Sequence, residues 1–327
     1  MKILFLEEQP CIRALKYAVG LKRCYSDIQL YFGYCGKSLT EFYGFGDEYF
    51  DGWFKLIGRT DKSINYIIKN TIPDLIHCHN APDTLTVSTL EFFKGQIPII
   101  HDVHDLMSLR KTIYDDGIQR EETLFEKKLT EERIALEHSD AIITVSEALF
   151  DAAYEKYNLG DKRHLIFPNL IVEEMIPIDL KEKLSNRDQQ IHIVYEGHLD
   201  ETGKEGHYDL HNIFREIAAQ SIHLHIYPSK QNRLCQKLNE ENGFIHYHTS
   251  LETKKLMQEL TQYDFGWSGF NTSKNKDHVD TVLANKTIEY ISAGLPVISF
   301  PHKSQKKFIQ KYGVGVVIEN FNNLSRN

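Results

Sequence analysis

The residues best placed to do chemistry stand together near the C-terminus, in Leu283-Ala-Asn-Lys-Thr-Ile-Glu-Tyr-Ile-Ser-Ala-Gly-Leu-Pro-Val-Ile298. The pattern predicts a helix with Asn285 as its N-cap, Lys286 and Glu289 in its first turns and Gly294 as the glycine that ends it. Leu-Pro-Val-Ile then opens the next strand. A helix N-terminus offers free N–H groups and a partial positive charge, which suits a diphosphate. Ala284, Asn285 and Lys286 are the candidates to hold that anion, and Glu289, about one turn in, is placed to accept hydrogen bonds from ribose hydroxyls. The plain alternative is an ordinary helix between two strands.

Such a helix needs sheets to carry it, and short apolar runs alternate with helical stretches along the chain, the signal for repeated βα units. The first half offers strand candidates at Lys2–Glu7, Ile28–Tyr34, Leu75–Cys78, Ile97–Val103, Ala141–Val145 and His164–Phe167. Helices are expected at Glu121–His138 and Ser146–Tyr157, and the stretch from Gly36 to Arg59 reads as a loop or small insertion. The second half restarts the pattern with strands at Ile191–Glu196, Ile222–Tyr227, Phe244–His248, Phe265–Ser268, Pro296–Phe300 and Val314–Ile318. Helices are expected near Tyr208–Ala219, Gln231–Glu241, Leu251–Gln262 and Lys286–Ala293. The expected fold is α/β: two Rossmann-like, doubly wound parallel-sheet domains, residues 1–169 and 170–327, facing a cleft. That fold does not name the chemistry.

Several segments, in order and at the right spacing, resemble the GT-B retaining glycosyltransferases, family 4 in particular. The helix above is close to the family's "PNKxxEYxAAGxPVI". Pro73-Asp-Leu-Ile-His-Cys-His-Asn-Ala-Pro-Asp83 and Ile97-Pro-Ile-Ile-His-Asp-Val-His-Asp-Leu106 are similar to its "DxIHxHxxPD" and "PxVxDxHEL" strands. Glu132 to Glu147 resembles "ERxxxxxADxxITVSE", Phe167-Pro-Asn169 the "xPN" hinge, and Tyr263-Asp-Phe-Gly266 the "YDxGL" strand.

The resemblance implies a nucleotide-diphosphate sugar as donor, with the first domain on the acceptor side and the second on the donor side. It places His104 beside the donor sugar and Glu289 at the second glutamate of the family's E-x7-E motif. Catalytic candidates are therefore His104, Lys286 and Glu289. Donor-binding candidates add His198, Lys204, Tyr227, Ser229, Ser250, Thr281, Ala284 and Asn285; Glu7, His79 and Asn80 are acceptor-side candidates. Trp267, Phe270 and the loop Asn271–Asp280 either shape a sugar subsite or pack the core. A retaining transfer asks little acid–base help of the protein if the departing phosphate oxygen takes the acceptor's proton. It asks for stabilisation of the developing diphosphate charge and a firm grip on the sugar.

Two positions depart from the family. Thr281 stands where the first glutamate of E-x7-E belongs, with Asp280 beside it. His198 stands where a phosphate-clamping Arg belongs, and a histidine is a poor substitute for a fixed guanidinium. Lys204 is a loose match to the clamping Lys and reads equally as a solvated loop residue. His77, His79, His101 and His104 invite a metal reading, since His77 and His79 share a strand face. Strand-end histidines also serve as scaffold or substrate contact, and the family implies no bound metal and no cofactor beyond the donor. Asp102 and Asp105 read as loop anchors.

Bulk properties agree. The 327 residues suit two domains, and 41% hydrophobic with 26% charged residues is ordinary for a globular protein. A formal charge of −8 argues against a nucleic-acid binder. Cys11, Cys24, Cys35, Cys78 and Cys235 are odd in number and irregularly spaced, as reduced cytoplasmic thiols would be. No apolar run reaches the ~18 residues of a membrane span, which leaves only peripheral contact with the inner membrane face. Family members usually continue past the Gly-Val-Gly-Val-Val strand with crossing helices, whereas this sequence stops at Asn327.

The expected function is transfer of a sugar from a nucleotide diphosphate to a glycan or lipid-linked acceptor in surface polysaccharide or glycoconjugate assembly. The alternative from another class is a catalytically silent GT-B subunit that binds a partner transferase or a glycan. A sugar-nucleotide 2-epimerase would need a carboxylate–histidine group flanking C2, which the sequence alone does not assemble.

Overall fold

A computed structural model describes residues 1–57, 61–80, 82–111, 122–201 and 205–321. Among these, one compact unit comprises 1–108 and 122–168, and the other 109–111 and 169–321.

The first unit is built on β1 (Lys2–Glu7), β2 (Gln29–Tyr34), β3 (Gly52–Lys55), β4 (Leu75–His79), β5 (Ile99–Val103), β6 (Ala141–Thr144) and β7 (Arg163–Ile166). All pair in parallel, in the order β3-β2-β1-β4-β5-β6-β7. Its strands are near-continuous apolar runs because helices cover both faces. Leu4, Leu6, Ile76, Cys78 and Ile99 point into a core shared with Ile64, Ile67, Leu85 and Leu90 of the covering helices. The stretch expected as a loop is a correction: it holds a helix at Leu39–Tyr43 and the edge strand β3. Its aromatics explain the missing period. Trp53 stacks on Phe32 with ring centroids 4.7 Å apart, and Phe50 meets Phe32 edge-on at 5.2 Å, so this edge is held by ring packing.

The second unit repeats the plan with β8 (His192–Gly197), β9 (His223–Pro228), β10 (Ile245–Tyr247), β11 (Phe265–Trp267), β12 (Val297–Ser299) and β13 (Gly315–Val317). The order is β10-β9-β8-β11-β12-β13, again parallel. Alternation along β8 sends Ile193 and Tyr195 to one face, where Phe214 and Ile217 pack, and Val194 to the other, with Tyr263 and Tyr290. No helix among the described residues is long and apolar enough to cross a membrane.

Strand order reverses direction between β1 and β4 in one sheet and between β8 and β11 in the other. At such switch points the crossovers leave on opposite faces and the strand C-termini are left open to a ligand. The residues there are Glu7 and His79 in the first unit, Glu196 and Gly197 in the second.

One glycine governs the second switch point. A Cβ on Gly266 of β11 would lie 2.2 Å from the Tyr290 ring, which is fully buried against that strand. The same Tyr290 accepts a 2.9 Å hydrogen bond from the Glu196 backbone N–H. Gly266→Ala is expected to cost about 1–3 kcal/mol through overpacking. It would be read as a lower urea midpoint for the second unit, and an unchanged midpoint would show that the ring can move aside.

Candidate functional site

In the second unit the candidate site forms at the C-terminal ends of β8 and β9 and the start of the helix Asn285–Ser292. The N-cap is Ala284, in extended conformation and with no side-chain cap bond, so the expectation that Asn285 caps the helix is corrected by one residue. The start is pinned from outside instead: Asn169 Nδ2 donates to the Leu283 carbonyl at 2.6 Å. At the other end Gly294 takes φ +78°, as a terminating glycine should.

Lys286 is buried, and its ammonium donates to the Tyr195 hydroxyl at 3.0 Å. Tyr195 passes the bond on to the His198 carbonyl. The Lys286 nitrogen lies 4.1 Å from the Tyr195 ring centroid, 5.5 Å from that of Tyr208 and 5.4 Å from that of Phe270, so three rings surround the charge. Gly197 lies beside it with φ +116°, a conformation that favours glycine; a Cβ there would make ordinary contact with Nζ at 3.6 Å. Burial pushes the Lys286 ammonium down to about 8, with Glu196 and Glu289 pulling the other way. Glu196, buried at the end of β8, is raised well above the usual carboxylate range, first by desolvation and then by Glu289, with which it shares a hydrogen bond. Burial and the neighbouring carboxylate thus favour the protonated form of Glu196.

The other donor-side candidates divide. Ser229 and Ser250 are exposed beyond the ends of β9 and β10, and Ser229 N–H donates to the Gly197 carbonyl at 2.8 Å. Tyr227 turns inward: its ring stacks on His248 at 4.3 Å and its hydroxyl pairs with that of Tyr263 at 2.8 Å. His198 meets the Tyr208 ring edge-on at 5.0 Å. Thr281 is buried and donates to the His278 carbonyl at 2.7 Å. Asp280 is committed elsewhere, accepting from Lys276 and, at 3.2 Å, from the Lys303 N–H. Trp267 is fully buried against Phe300 and Phe321 and is core; Phe270 is one of the rings around Lys286. Lys204 lies outside the described residues.

In the first unit a buried ion pair organises the switch point. Asp102, at the penultimate position of β5, takes Arg13 at 3.1 Å and His77 at 3.2 Å. Arg13 also donates to the Phe167 carbonyl at 2.7 Å and to the Tyr17 hydroxyl at 3.0 Å. Arg13 and its neighbours hold the Asp102 carboxyl well below its ordinary range despite burial. Around this anchor His79 Nδ1 and His104 Nε2 share one proton at 3.0 Å. Asn80 sets His104 in place, accepting its backbone N–H at 2.6 Å and donating to the Asp105 carbonyl at 2.7 Å. Burial lowers His104 to about 4 and His79 well below its usual value, so both are neutral at pH 7. Glu7 goes the other way, raised to about 8 by burial although it accepts the Cys11 N–H at 3.1 Å.

The four histidines of the metal reading do not converge. His101 faces the other side of the sheet, 2.9 Å from Thr86 and 3.1 Å from Asp83. Among the described residues of this unit, the groups able to hold an ion are Glu7 with Cys11, His79 and His104, and His77 with His79 and Asp102. The first set would have to give up the proton on Glu7; the second would compete with Arg13 for Asp102.

Sequence reasoning passed over Glu196, Arg13 and Cys11 as site residues. Glu196 carried a signal, an acid closing an apolar strand at a switch point. Arg13 carried none, because its partner lies on a strand distant in sequence.

Residues 49–174 match the model of Glycosyltransferase Family 4, and residues 206–327 that of the Glucosyltransferase 3-like C-terminal domain. No curated protein matches the sequence. Anabaena HepE in complex with UDP-glucose is 13% identical with a TM-score of 0.67, covering 99% of this chain and 88% of that one. A glycosyltransferase from Rickettsia africae is 12% identical with a TM-score of 0.67, covering 99% and 86%. The UDP-GlcNAc 2-epimerase of Neisseria meningitidis bound to UDP-GlcNAc is 13% identical with a TM-score of 0.59, covering 99% and 89%. At such identities the likeness is one of fold, and the two matched domain models supply the rest. The chain thus carries a Glycosyltransferase Family 4 segment over residues 49–174 and a Glucosyltransferase 3-like C-terminal domain over residues 206–327, on two parallel-sheet units of the GT-B fold.

Proposed function

We propose that the protein transfers a sugar from a nucleoside diphosphate, with UDP the first candidate carrier, to a hydroxyl of a glycan or lipid-linked acceptor, with retention and without a metal. The observation that carries this reading is the buried, ring-enclosed Lys286 at the start of the helix Asn285–Ser292, beside the Glu196–Glu289 pair. A lone buried ammonium at a helix N-terminus is matched to a diphosphate, which restores to Lys286 the charge that burial opposes. Glu289, one turn in, takes the ribose hydroxyls. Support for UDP comes from the HepE complex with UDP-glucose, a protein of the same fold.

In the proposed step the bond from the sugar C1 to the diphosphate oxygen breaks and a bond from C1 to the acceptor oxygen forms on the same face. The acceptor proton goes to the departing diphosphate oxygen. Lys286 and the helix N-terminus stabilise the charge that grows on the diphosphate. Neutral His104, held by Asn80 and His79, supplies a hydrogen bond to the donor sugar rather than a charge. Assembly of surface polysaccharide or glycoconjugate is the setting proposed for this activity.

A second reading has one observation behind it. Glu7, His79 and His104 together form a carboxyl–histidine group, the kind that a sugar-nucleotide 2-epimerase requires. Incubation with UDP-GlcNAc in heavy water, without acceptor, separates the two. A transferase leaves C2 protonated as supplied, while deuterium at C2 with the manno epimer would establish the epimerase.

The direct test is a thermal-shift panel of UDP, GDP and ADP. A ligand at about 100-fold over its Kd adds about 2.7 kcal/mol to the folded state. One base is expected to shift the wild type and to fail with Lys286→Ala and Glu289→Ala, whose unliganded transitions serve as folding controls. No shift with any base would favour a silent subunit over an enzyme.

The pH dependence follows from Lys286. Its ammonium, pushed down to about 8 in the free protein, is the form that meets the diphosphate. Affinity for UDP should be flat near neutrality and fall about tenfold per pH unit once the free lysine loses its proton. Lys286→Met should bind weakly at every pH, with that slope gone. A wild-type Kd unchanged up to about pH 9 would mean that Lys286 does not meet the phosphates.

A further inference from the structure

Five histidines of the second unit meet on one face of its sheet, running from the strand starts at His192 and His223 to His248 just past the end of β10. His192 and His223 are the first residues of β8 and β9 and sit directly across from each other, their rings stacked 4.7 Å apart. His225 lies two residues further along β9, and His246 and His248 flank it from β10 and the residue after it. The rings join in two relays. In one, His192 Nδ1 meets His225 Nε2 at 2.9 Å and His225 Nδ1 meets His248 Nε2 at 3.0 Å. In the other, His223 Nδ1 meets His246 Nε2 at 2.8 Å.

Both relays run their free ends to the same short loop. His192 Nε2 lies 3.0 Å from the Asp188 carboxylate, and His223 Nε2 lies 3.1 Å from Gln190 Oε1. One ligand atom each from Asp188, His192 and His223 falls within 4.8 Å of the others. The loop is fixed to the sheet: Asp264 accepts the His192 N–H at 2.8 Å and the Ser185 hydroxyl at 2.6 Å.

We infer that Asp188, His192 and His223 form a binding site for a first-row transition-metal dication, with Gln190 or water completing the set and the histidines behind them as its outer shell. Two imidazole nitrogens with one or two oxygens suit zinc and its neighbours and do not suit magnesium. A ligating imidazole normally donates its other N–H to an acceptor that fixes the ring and raises its basicity. Here both ligating rings have that acceptor in place, His225 Nε2 for one and His246 Nε2 for the other. Each relay can run in either sense. With protons on Nε2 the first relay ends as a donor to Asp188; with protons on Nδ1 both Nε2 lone pairs point at Asp188 and Gln190, and a cation satisfies all of them. Changing sense moves protons within the rings and releases none from the relay.

The test uses the full chain, stripped with chelator and dialysed, titrated with Zn²⁺ and, as a hard-ion control, Mg²⁺. One zinc per chain is expected at this site, with the side-chain ¹⁵N signals of His192 and His223 moving to metal-bound positions, and no response to Mg²⁺. Asp188→Asn, which keeps the side chain's shape and its bond to the Gln190 N–H, should weaken that zinc about tenfold or more, and His246→Gln similarly through the outer shell. His104→Gln, which disables the histidine group of the first unit, should leave it unchanged. Absence of zinc binding would overturn the assignment. So would zinc lost in His104→Gln but kept in Asp188→Asn, or ¹⁵N signals of the relay that stay put while zinc binds.

Discussion

The burial of one ammonium group sets the terms for the second unit. A lysine taken out of water at the end of a helix is costly unless its surroundings give back what water gave. Lys286 recovers it from three sources: the Tyr195 hydroxyl, the faces of Tyr195, Tyr208 and Phe270, and the field of Glu196 and Glu289. Each source constrains another part of the fold. Tyr195 has to be tied to the His198 carbonyl, the chain has to turn through a positive φ at Gly197, and Glu196 has to be held at the strand end. Tyr290 does the holding, and it reaches Glu196 only because Gly266 leaves room for its ring. A chain of packing choices on β8, β11 and one helix thus ends in the placement of a single charge.

The first unit meets the same problem with the sign reversed. Its buried charge is the Asp102 carboxylate, and Arg13 with His77 keeps it ionised. The neighbouring His79 and His104 are left neutral because burial outweighs the pull of Asp102. That balance gives the site a hydrogen-bonding histidine instead of a cationic one, which suits contact with an uncharged sugar. It also makes the unit acid-sensitive. A buried neutral histidine takes up its proton more readily once unfolded, so the stability His104 contributes is whole above its unfolded value and lost as pH falls toward about 4.

Most strands were legible because each is a short apolar run between helical stretches, and this signal is strongest for strands buried on both faces. The exception, β3, is an edge strand whose Trp53 and Phe54 alternate with nothing clearly polar, so no period appears. The helix at Asn285 was legible from its Lys, Glu and Gly, yet its first residue was not, because the turn before it is set by the Asn169 amide, far along the chain, donating to the Leu283 carbonyl. Local patterns cannot report that kind of partner. The same holds for Tyr227, which follows the right strand but turns into the core to meet His248 and Tyr263. The histidine relays were invisible for a stronger reason. Residues 192, 223, 225, 246 and 248 lie on three segments, and only the sheet register brings them face to face.

The two departures from the family's wording look different once the side chains are placed. Thr281 brings no carboxylate, and Asp280 does not replace it, since its oxygens are taken by Lys276 and the Lys303 N–H. Glu196 stands instead beside Glu289, supplied by β8. Burial and Glu289 favour its protonated form, in which it gives Glu289 a hydrogen bond. His198 likewise brings no guanidinium, but its carbonyl anchors the Tyr195 hydroxyl that holds Lys286. A site with an arginine clamp can spread a diphosphate's charge over two cations. In the proposed site that charge would meet Lys286 and a helix end, with the field of the Glu196–Glu289 pair offsetting the burial of the ammonium.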